Sequence, residues 1–451
     1  MTSQWLKSCG ALVALLLAAT MASSALADGT KFSVLYTFEV ANATTGASQL
    51  GSQPDTRPVL GPDHSLYGMT YTGGVNGNGV IYRFELRSHK YSVLHTFGAL
   101  DATGANDDGA NPGVALTRGP DDVFYGMASF GGTNGNGTIF KITASGKFTV
   151  LHTFSALDSK AHNEDGANPL RTLVIGADGN LYGTTRLGGQ YTCGTVPFLN
   201  SCGVAWEMDR WGSFSVLHQF KPNEGHAASL LQARDGFFYG CAVWPRATLG
   251  SGILYRMAPS GYPFEVLYRF SAVDGNGNNA DGANCYEPLV ETEWGTFYGA
   301  AYAGGPNGNG VVFRYSLSSP SVVETVHAFS ATNTSGENSD GANPYARLTR
   351  GHDGTLYSTA SYGGTFGNGV VYRIRCRDAH FEVLHTFSAV DPTTGSNIDG
   401  ADPDYGVLLD EHDGLIGMAD YGGNGSIAGD TGNGTLYRVK LDDWAAEGDA
   451  Q

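Results

Sequence analysis

Five histidines recur at one point of a repeated pattern: His95, His152, His218, His327 and His385 each sit in a run resembling Phe-x-Val-Leu-His-x-Phe. Imidazole changes protonation near neutral pH, so a general base is the first chemistry to consider. Five equivalent bases would make an odd active site, and Tyr36 and Tyr268 fill the position in the other two copies. A group that Tyr replaces reads as a hydrogen-bond donor bracing its strand, directed at the acidic loop that follows. Those loops pair Asp101 with Asp108, Asp158 with Asp165, Asp274 with Asp281, and Asp391 with Asp399; Asp340 belongs to the same series. Oxygen-rich loops suit calcium, which takes about six to eight oxygen ligands. Asp108, Asp165, Asp281, Asp340 and Asp399 are therefore candidate calcium ligands. Against this, the EF-hand spacing is not completed, and Asp-Gly and Asn-Pro are ordinary turn formers. No cofactor other than this calcium alternative is expected.

A second recurrent loop, Gly-Gly-x-x-Gly-Asn-Gly, is preceded by an aromatic in five copies: Tyr71, Phe130, Tyr302, Tyr362 and Tyr421. Such rings stack on sugars while neighbouring amides and carboxylates take the hydroxyls. The competing role is a wedge spacing adjacent repeats. A phosphate cradle is excluded, because a strand rather than a helix N-terminus follows the glycines. One region departs from the repeat. Residues Tyr191 to Ser201 are inserted, and the next repeat offers Glu224, His226, Trp244 and Arg246 in place of the usual loops. A carboxylate, imidazole, indole and guanidinium there form a candidate ligand pocket, or an acid/base site for polysaccharide cleavage near 190–250; the alternative is drift in a degenerate repeat.

The elements that must position these groups follow from the repetition. The His-containing run appears seven times with a period of about 58 residues, and each copy is followed by further β-like pieces. These are a Pro-led piece such as Pro344 to Leu348, a Leu-Tyr-Gly piece such as Leu66-Tyr67-Gly68, and a Gly-Val-Ile-Tyr-Arg piece such as Gly79 to Arg83. Four short strands separated by Gly and Asp-Gly turns form a meander. Such a sheet cannot bury both faces alone, whereas seven packed radially can. The expected fold is therefore all-β, a seven-bladed β-propeller of four-stranded antiparallel blades. The mature chain opens with a fourth-strand motif, Phe32 to Phe38, and ends with a third, Gly434 to Arg438. Pairing the N-terminal strand with the C-terminal blade closes the ring and removes two free edges. Loops after the second and fourth strands then emerge on one elaborated face.

Composition agrees. Of 451 residues 65 are Gly, only 15% are charged and 41% are hydrophobic, which excludes a disordered acidic chain and a helical bundle. The net charge of −17 repels phosphate backbones, so no nucleic acid partner is expected. Lys7, the apolar run Ala11 to Ala19 and the Ala25-Leu26-Ala27 site read as a signal peptide over 1–27, removed before Asp28. The propeller then spans 28–440 and an acidic tail 441–451, with no membrane anchor expected. A secreted or periplasmic monomer is the expectation. Five cysteines remain after cleavage. Cys193 and Cys202, nine apart in one Gly-rich loop, are expected to be bridged; among Cys241, Cys285 and Cys376 the pairing is open.

Phe-Thr-Val-Leu-His-Thr-Phe, Asp-Gly-Ala-Asn-Pro, Asp-Gly-x-Leu-Tyr-Gly-Thr-Thr and Gly-Gly-x-x-Gly-Asn-Gly-Thr-Ile-Phe-Lys-Ile together resemble the GloVer (Gloeo_Verruco) tandem repeat of exported bacterial proteins, over residues 32–439. The resemblance implies an exported repeat protein and brings no catalytic residue with it. Members often carry a C-terminal sorting anchor, which is not recognised in this chain. No Ser/His/Asp, GxSxG or HExxH pattern is present. The expectation is a non-catalytic binding scaffold whose partner is an extracellular glycan or protein at the loop face. An extracellular polysaccharide lyase or hydrolase is the alternative.

Overall fold

The computed structural model describes residues 31–42, 44–120, 122–170, 173–194, 201–244, 251–411, 414–423 and 434–441. The proposed signal peptide, the acidic tail beyond 441, Arg246 and most of the insertion before Ser201 lie outside the described residues.

Seven antiparallel sheets form, six with their strands in sequence order and the seventh completed by the N-terminal strand, and they are arranged as a seven-bladed β-propeller. Blade one runs Val59–Leu60, Ser65–Thr70, Val80–Glu85 and Lys90–Thr96 from inside to outside. The Pro-led piece is the short inner strand, and those of adjacent blades touch around the axis, as Thr349–Arg350 does with Val407–Leu409. Blade four departs: its inner strand is split into His226–Ala227 and Leu231–Gln232, both paired with Phe238–Val243. Second and third strands are buried on both faces, which explains their near-continuous apolar reading. The glycine of Leu-Tyr-Gly has a steric reason. A Cβ on Gly68 would lie 2.3 Å from the Tyr82 hydroxyl, and one on Gly126 2.5 Å from the Phe140 ring. The third-strand aromatic lies across its neighbour only because that side chain is missing.

The ring closes as the sequence phase requires. Lys31–Thr37 pairs antiparallel with Thr435–Lys440, from Lys31 opposite Lys440 to Thr37 opposite Thr435. It thereby becomes the outer strand of blade seven.

Each outer strand carries a bulge that turns the repeated histidine toward the next loop. In blade one, Ile81 opposes His95 and Tyr82 opposes Val93, leaving Leu94 as the extra residue. His95 Nε2 meets Asp108 Oδ2 at 2.9 Å, and the same carboxylate accepts the Gly98 N–H. The arrangement repeats for His152 with Asp165, His327 with Asp340, and His385 with Asp399, each at 3.0 Å. In blade three Glu224 replaces the aspartate, 2.9 Å from His218, and in blade four Tyr268 donates to Asp281 at 2.8 Å. The other face of each imidazole stacks on the next blade's outer-strand Phe. His95 on Phe148 and His327 on Phe381 have centroids 3.8 and 3.7 Å apart. The closing seam follows the same rule, with His385 stacked 3.8 Å from Phe32 of the N-terminal strand. Only the seam between blades four and five departs, because Val323 stands where the others have Phe or Tyr. A disulfide between Cys241 and Cys285 crosses that seam, a second joins Cys193 to Cys202 as expected, and Cys376 is left as the free thiol.

Removing residues 31–38 takes away the outer strand of blade seven and the ring that His385 stacks on. Thermal unfolding of that truncation is expected to lose its single cooperative transition; an unchanged melt would refute closure as a stabilising element. Asp165→Ala leaves His152 and the Ser155 N–H without their acceptor, at a cost of about 1–3 kcal/mol. His152→Tyr, which copies Tyr268, should cost less than His152→Ala in the same melts.

Candidate functional site

The aspartates proposed for calcium are used by the protein itself. Asp108, Asp165, Asp281, Asp340 and Asp399 hold the histidine or tyrosine and a backbone N–H of their own loop. Their partners Asp101, Asp158, Asp274 and Asp391 accept amides of their own turns. Among the described residues no group of three or more His, Cys, Asp and Glu side chains is placed to hold a metal ion. The loop chemistry is that of structural turns.

In the 190–250 region, the described side chains His226 and Trp244 are buried. His226 is 4% exposed, and its Nδ1–H donates to the Arg186 carbonyl at 3.3 Å. Burial lowers its pKa, which keeps it neutral. Trp244 is buried and donates to the Pro222 carbonyl at 3.1 Å. Both serve the packing between blades three and four.

The five aromatics do not form one ring of equivalents. The N–H of Tyr71 and of Tyr302 bonds the carbonyls of Gln53 and Asn284, a register shared by Ser129, Arg186, Ser361 and Asp420. Phe130, Tyr362 and Tyr421 stand one residue further on, bridged to Ala110, Ala342 and Ala401. Phe130 is 43% and Tyr362 44% exposed, so neither is a wedge buried between blades. Phe130 lacks a hydroxyl; the four tyrosines all lie beside carboxyl groups that the repeat pattern had hidden.

Those carboxyls are Asp55, Asp402, Asp404 and Asp420, on the neighbouring blades one and seven. In blades two, three, five and six the position of Asp402 is an asparagine with φ between 52° and 61°, conformationally suited to it. Asn111 donates its Nδ2–H to the Tyr71 carbonyl at 3.0 Å, Asn168 to Ser129 at 3.2 Å, and Asn343 to Tyr302 at 3.0 Å. A carboxylate cannot make that bond. Asp402 keeps the fold position, with φ 60°, and its Oδ1 is buried without a hydrogen-bond partner. Asp420, 7% exposed, likewise has an unpartnered Oδ1. Hydrogen bonds link Asp402 to Asp404 and Tyr362, Asp420 to Asp55, Tyr405 to Asp55, and Ser361 to Asp404. Burial, reinforced by the Asp404 charge, pushes Asp402 up to about 9. Burial and then the charges of Asp55, Asp404 and Asp402 push Asp420 well above the carboxylate range.

An arc of rings surrounds this group. Tyr286 lies 6.0 Å from Tyr302 and 5.2 Å from Tyr345, and Tyr345 lies 6.4 Å from Tyr405. Asp55, Tyr71, Tyr345 and Tyr405 also line an axial cavity of about 230 Å³ whose wall includes Arg57, Arg347 and Glu287. Arg57 donates to Thr349 Oγ1 at 3.0 Å and to the Val407 carbonyl at 3.2 Å. Burial first, then the nearby Arg347, lowers its pKa to about 9, and burial lowers Arg347 as well. Gly406 lies on the inner edge of blade seven, between the blades that carry the two arginines; a Cβ there would lie 2.6 Å from the Arg347 carbonyl. The cavity lining thus sets the carboxyls of Asp55 and Glu287 beside the guanidinium groups of Arg57 and Arg347.

A carboxyl whose pKa is raised in the folded state binds its proton more tightly there than in the unfolded chain. The associated stability is complete below about pH 4 and is lost as pH rises toward about 9. Asp402→Asn restores the donor of the other blades. Its melting temperature should exceed that of the native chain by at least about 2 °C more at pH 8 than at pH 5. Parallel profiles for the two proteins would refute the protonated carboxyl.

Comparison with solved structures gives propellers at low identity. A structure titled oligogalacturonate lyase in complex with manganese is 13% identical, with 92% of this chain and 98% of that one covered and a TM-score of 0.51. An oligogalacturonate lyase from Vibrio parahaemolyticus is 13% identical over 92% and 97%, with a TM-score of 0.48. The PQQ-bound aldose sugar dehydrogenase of Streptomyces coelicolor is 11% identical over 93% and 100%, at 0.40. These likenesses concern the fold alone. No curated protein matches the chain. The family model described as the Gloeobacter/Verrucomicrobia repeat matches twice, over residues 16–197 and 197–397. The motifs, the seven-fold blade pattern and these two matches agree, and the chain belongs to the Gloeobacter/Verrucomicrobia repeat family.

Proposed function

We propose that the protein is a non-catalytic binding scaffold that takes an extracellular glycan at the axial mouth of its loop face. The observation that carries this reading is the arc of Tyr302, Tyr286, Tyr345 and Tyr405 beside four carboxyls, opening on the axial cavity. Tyrosine rings offer sugar faces a stacking surface, and carboxyl oxygens accept from hydroxyls. At about 230 Å³ the cavity is smaller than the roughly 300–1,000 Å³ of drug-sized pockets, so it suits one residue at a chain end. Export to the periplasm or beyond fits this role. Two disulfides support an oxidising compartment, and no helix among the described residues is long and apolar enough to cross a membrane.

The purified mature protein, screened on a glycan array and titrated calorimetrically, should bind saccharide without releasing reducing ends. Tyr345→Ala should weaken binding about tenfold, the scale of one lost aromatic contact. Trp211→Ala, at an 81% exposed ring in a turn of the opposite face, should leave it unchanged. Loss with Trp211→Ala but not Tyr345→Ala, or turnover of the bound polymer, would overturn the reading.

A further inference from the structure

We infer that the anchoring group of this ligand is a protonated primary amine, held among Asp55, Asp402, Asp404 and Asp420, so that the saccharide is an amino sugar with its nitrogen free. The inference rests on the proposed binding at the axial mouth and names the ligand's chemistry. Two independent observations point to it. First, Asp402 and Asp420 each keep one buried oxygen that no group of the protein donates to, and Asp420 is more than nine-tenths buried. Acceptors in that condition call for donors from outside, and an ammonium brings three N–H groups and no acceptor. Second, Tyr362, Tyr421 and Tyr302 lie close enough for the Asp402 and Asp404 charges to raise their pKa values, after burial itself. Aromatic faces beside carboxylates attract an organic cation by its charge and still cover its apolar body.

A hydroxyl alone would leave the cluster's repulsion in place, whereas one positive charge relieves it. A metal ion is the other way to relieve it, but the described residues include no group of three or more His, Cys, Asp and Glu side chains placed to hold one. The arginines fix the direction. With Arg57 and Arg347 in the wall and Glu287 offsetting part of their charge, the ammonium stays at the acidic mouth, and the sugar's oxygens face the guanidinium groups. Because Asp402 holds its proton at neutral pH, seating the ammonium against it expels that proton to solvent. No bond to the ligand forms or breaks.

The test titrates the full mature protein at pH 7 with a glucosamine trimer, its N-acetylated counterpart, a neutral cello-oligosaccharide and propylamine. The free-amine trimer should bind at least tenfold tighter than the other two saccharides. Its calorimetric heat should vary with the ionisation enthalpy of the buffer, as proton release requires. Asp420→Asn should abolish the preference for the amine while keeping a native melt, and Asp404→Asn serves as the second variant should the first not fold. Equal binding of all three trimers would overturn the inference and leave the glycan site standing. Binding of propylamine with no saccharide would do the reverse. No binding by any probe would overturn both.

Discussion

A single contact, repeated around the axis, organises the molecule: an outer-strand ring side chain bonded to the next loop and stacked on the next blade. The imidazole of His95 is held at its edge by Asp108 and on its face by Phe148. Because the acceptor sits in the connection and the stacking partner in the following sheet, one side chain fixes both the path of the chain and the angle between blades. The carboxylate also collects a backbone N–H of its own loop, so the loops of the elaborated face are pinned at their base. Where the residue types change, the hydrogen bond survives: Glu224 replaces the aspartate beside His218, and Tyr268 donates to Asp281.

On this regular frame the candidate site is an exception assembled by closure. Asp55 lies near the start of the described chain and Asp402, Asp404 and Asp420 near its end, and the Tyr405–Asp55 hydrogen bond joins residues 350 apart. Blades one and seven are neighbours only because Lys31–Thr37 pairs with Thr435–Lys440. An open ring would separate the carboxyls and undo both the burial and the mutual repulsion that raise the proton affinity of Asp402 and Asp420. Architecture and site are thus one structure, and the site reports on whether the ring is shut.

The fold was legible because its physics is local and repeated. Alternating apolar runs, turn glycines and the phase of the first and last motifs specify strands, blades and closure without any long-range information. The histidine brace was legible for the same reason, since Tyr36 and Tyr268 at the same place pointed to a hydrogen-bond donor bracing the strand. The site was hidden by that regularity. Averaging the repeats treats Asp399-Gly400-Ala401-Asp402-Pro403 as a variant of Asp-Gly-Ala-Asn-Pro, although exchanging one amide for a carboxyl removes the donor that other blades give to their neighbour. The signal was present in Asp402 against Asn111, Asn168, Asn284 and Asn343, and in Asp420 against Ser129 and Ser361. What was missing is that these departures meet across the closure. The irregular 190–250 stretch drew notice by its insertions, but His226 and Trp244 there fill a seam.

The Cys241–Cys285 cross-link stands at the junction where Val323 replaces the usual ring. The covalent link adds to the packing there, where the outer-strand stack is missing but Tyr239 of blade four still stacks 4.4 Å from Phe297 of blade five. With these two thiols reduced, the outer strands keep six stacked ring pairs and one gap. Oxidation of those two thiols is then the step that completes the circle.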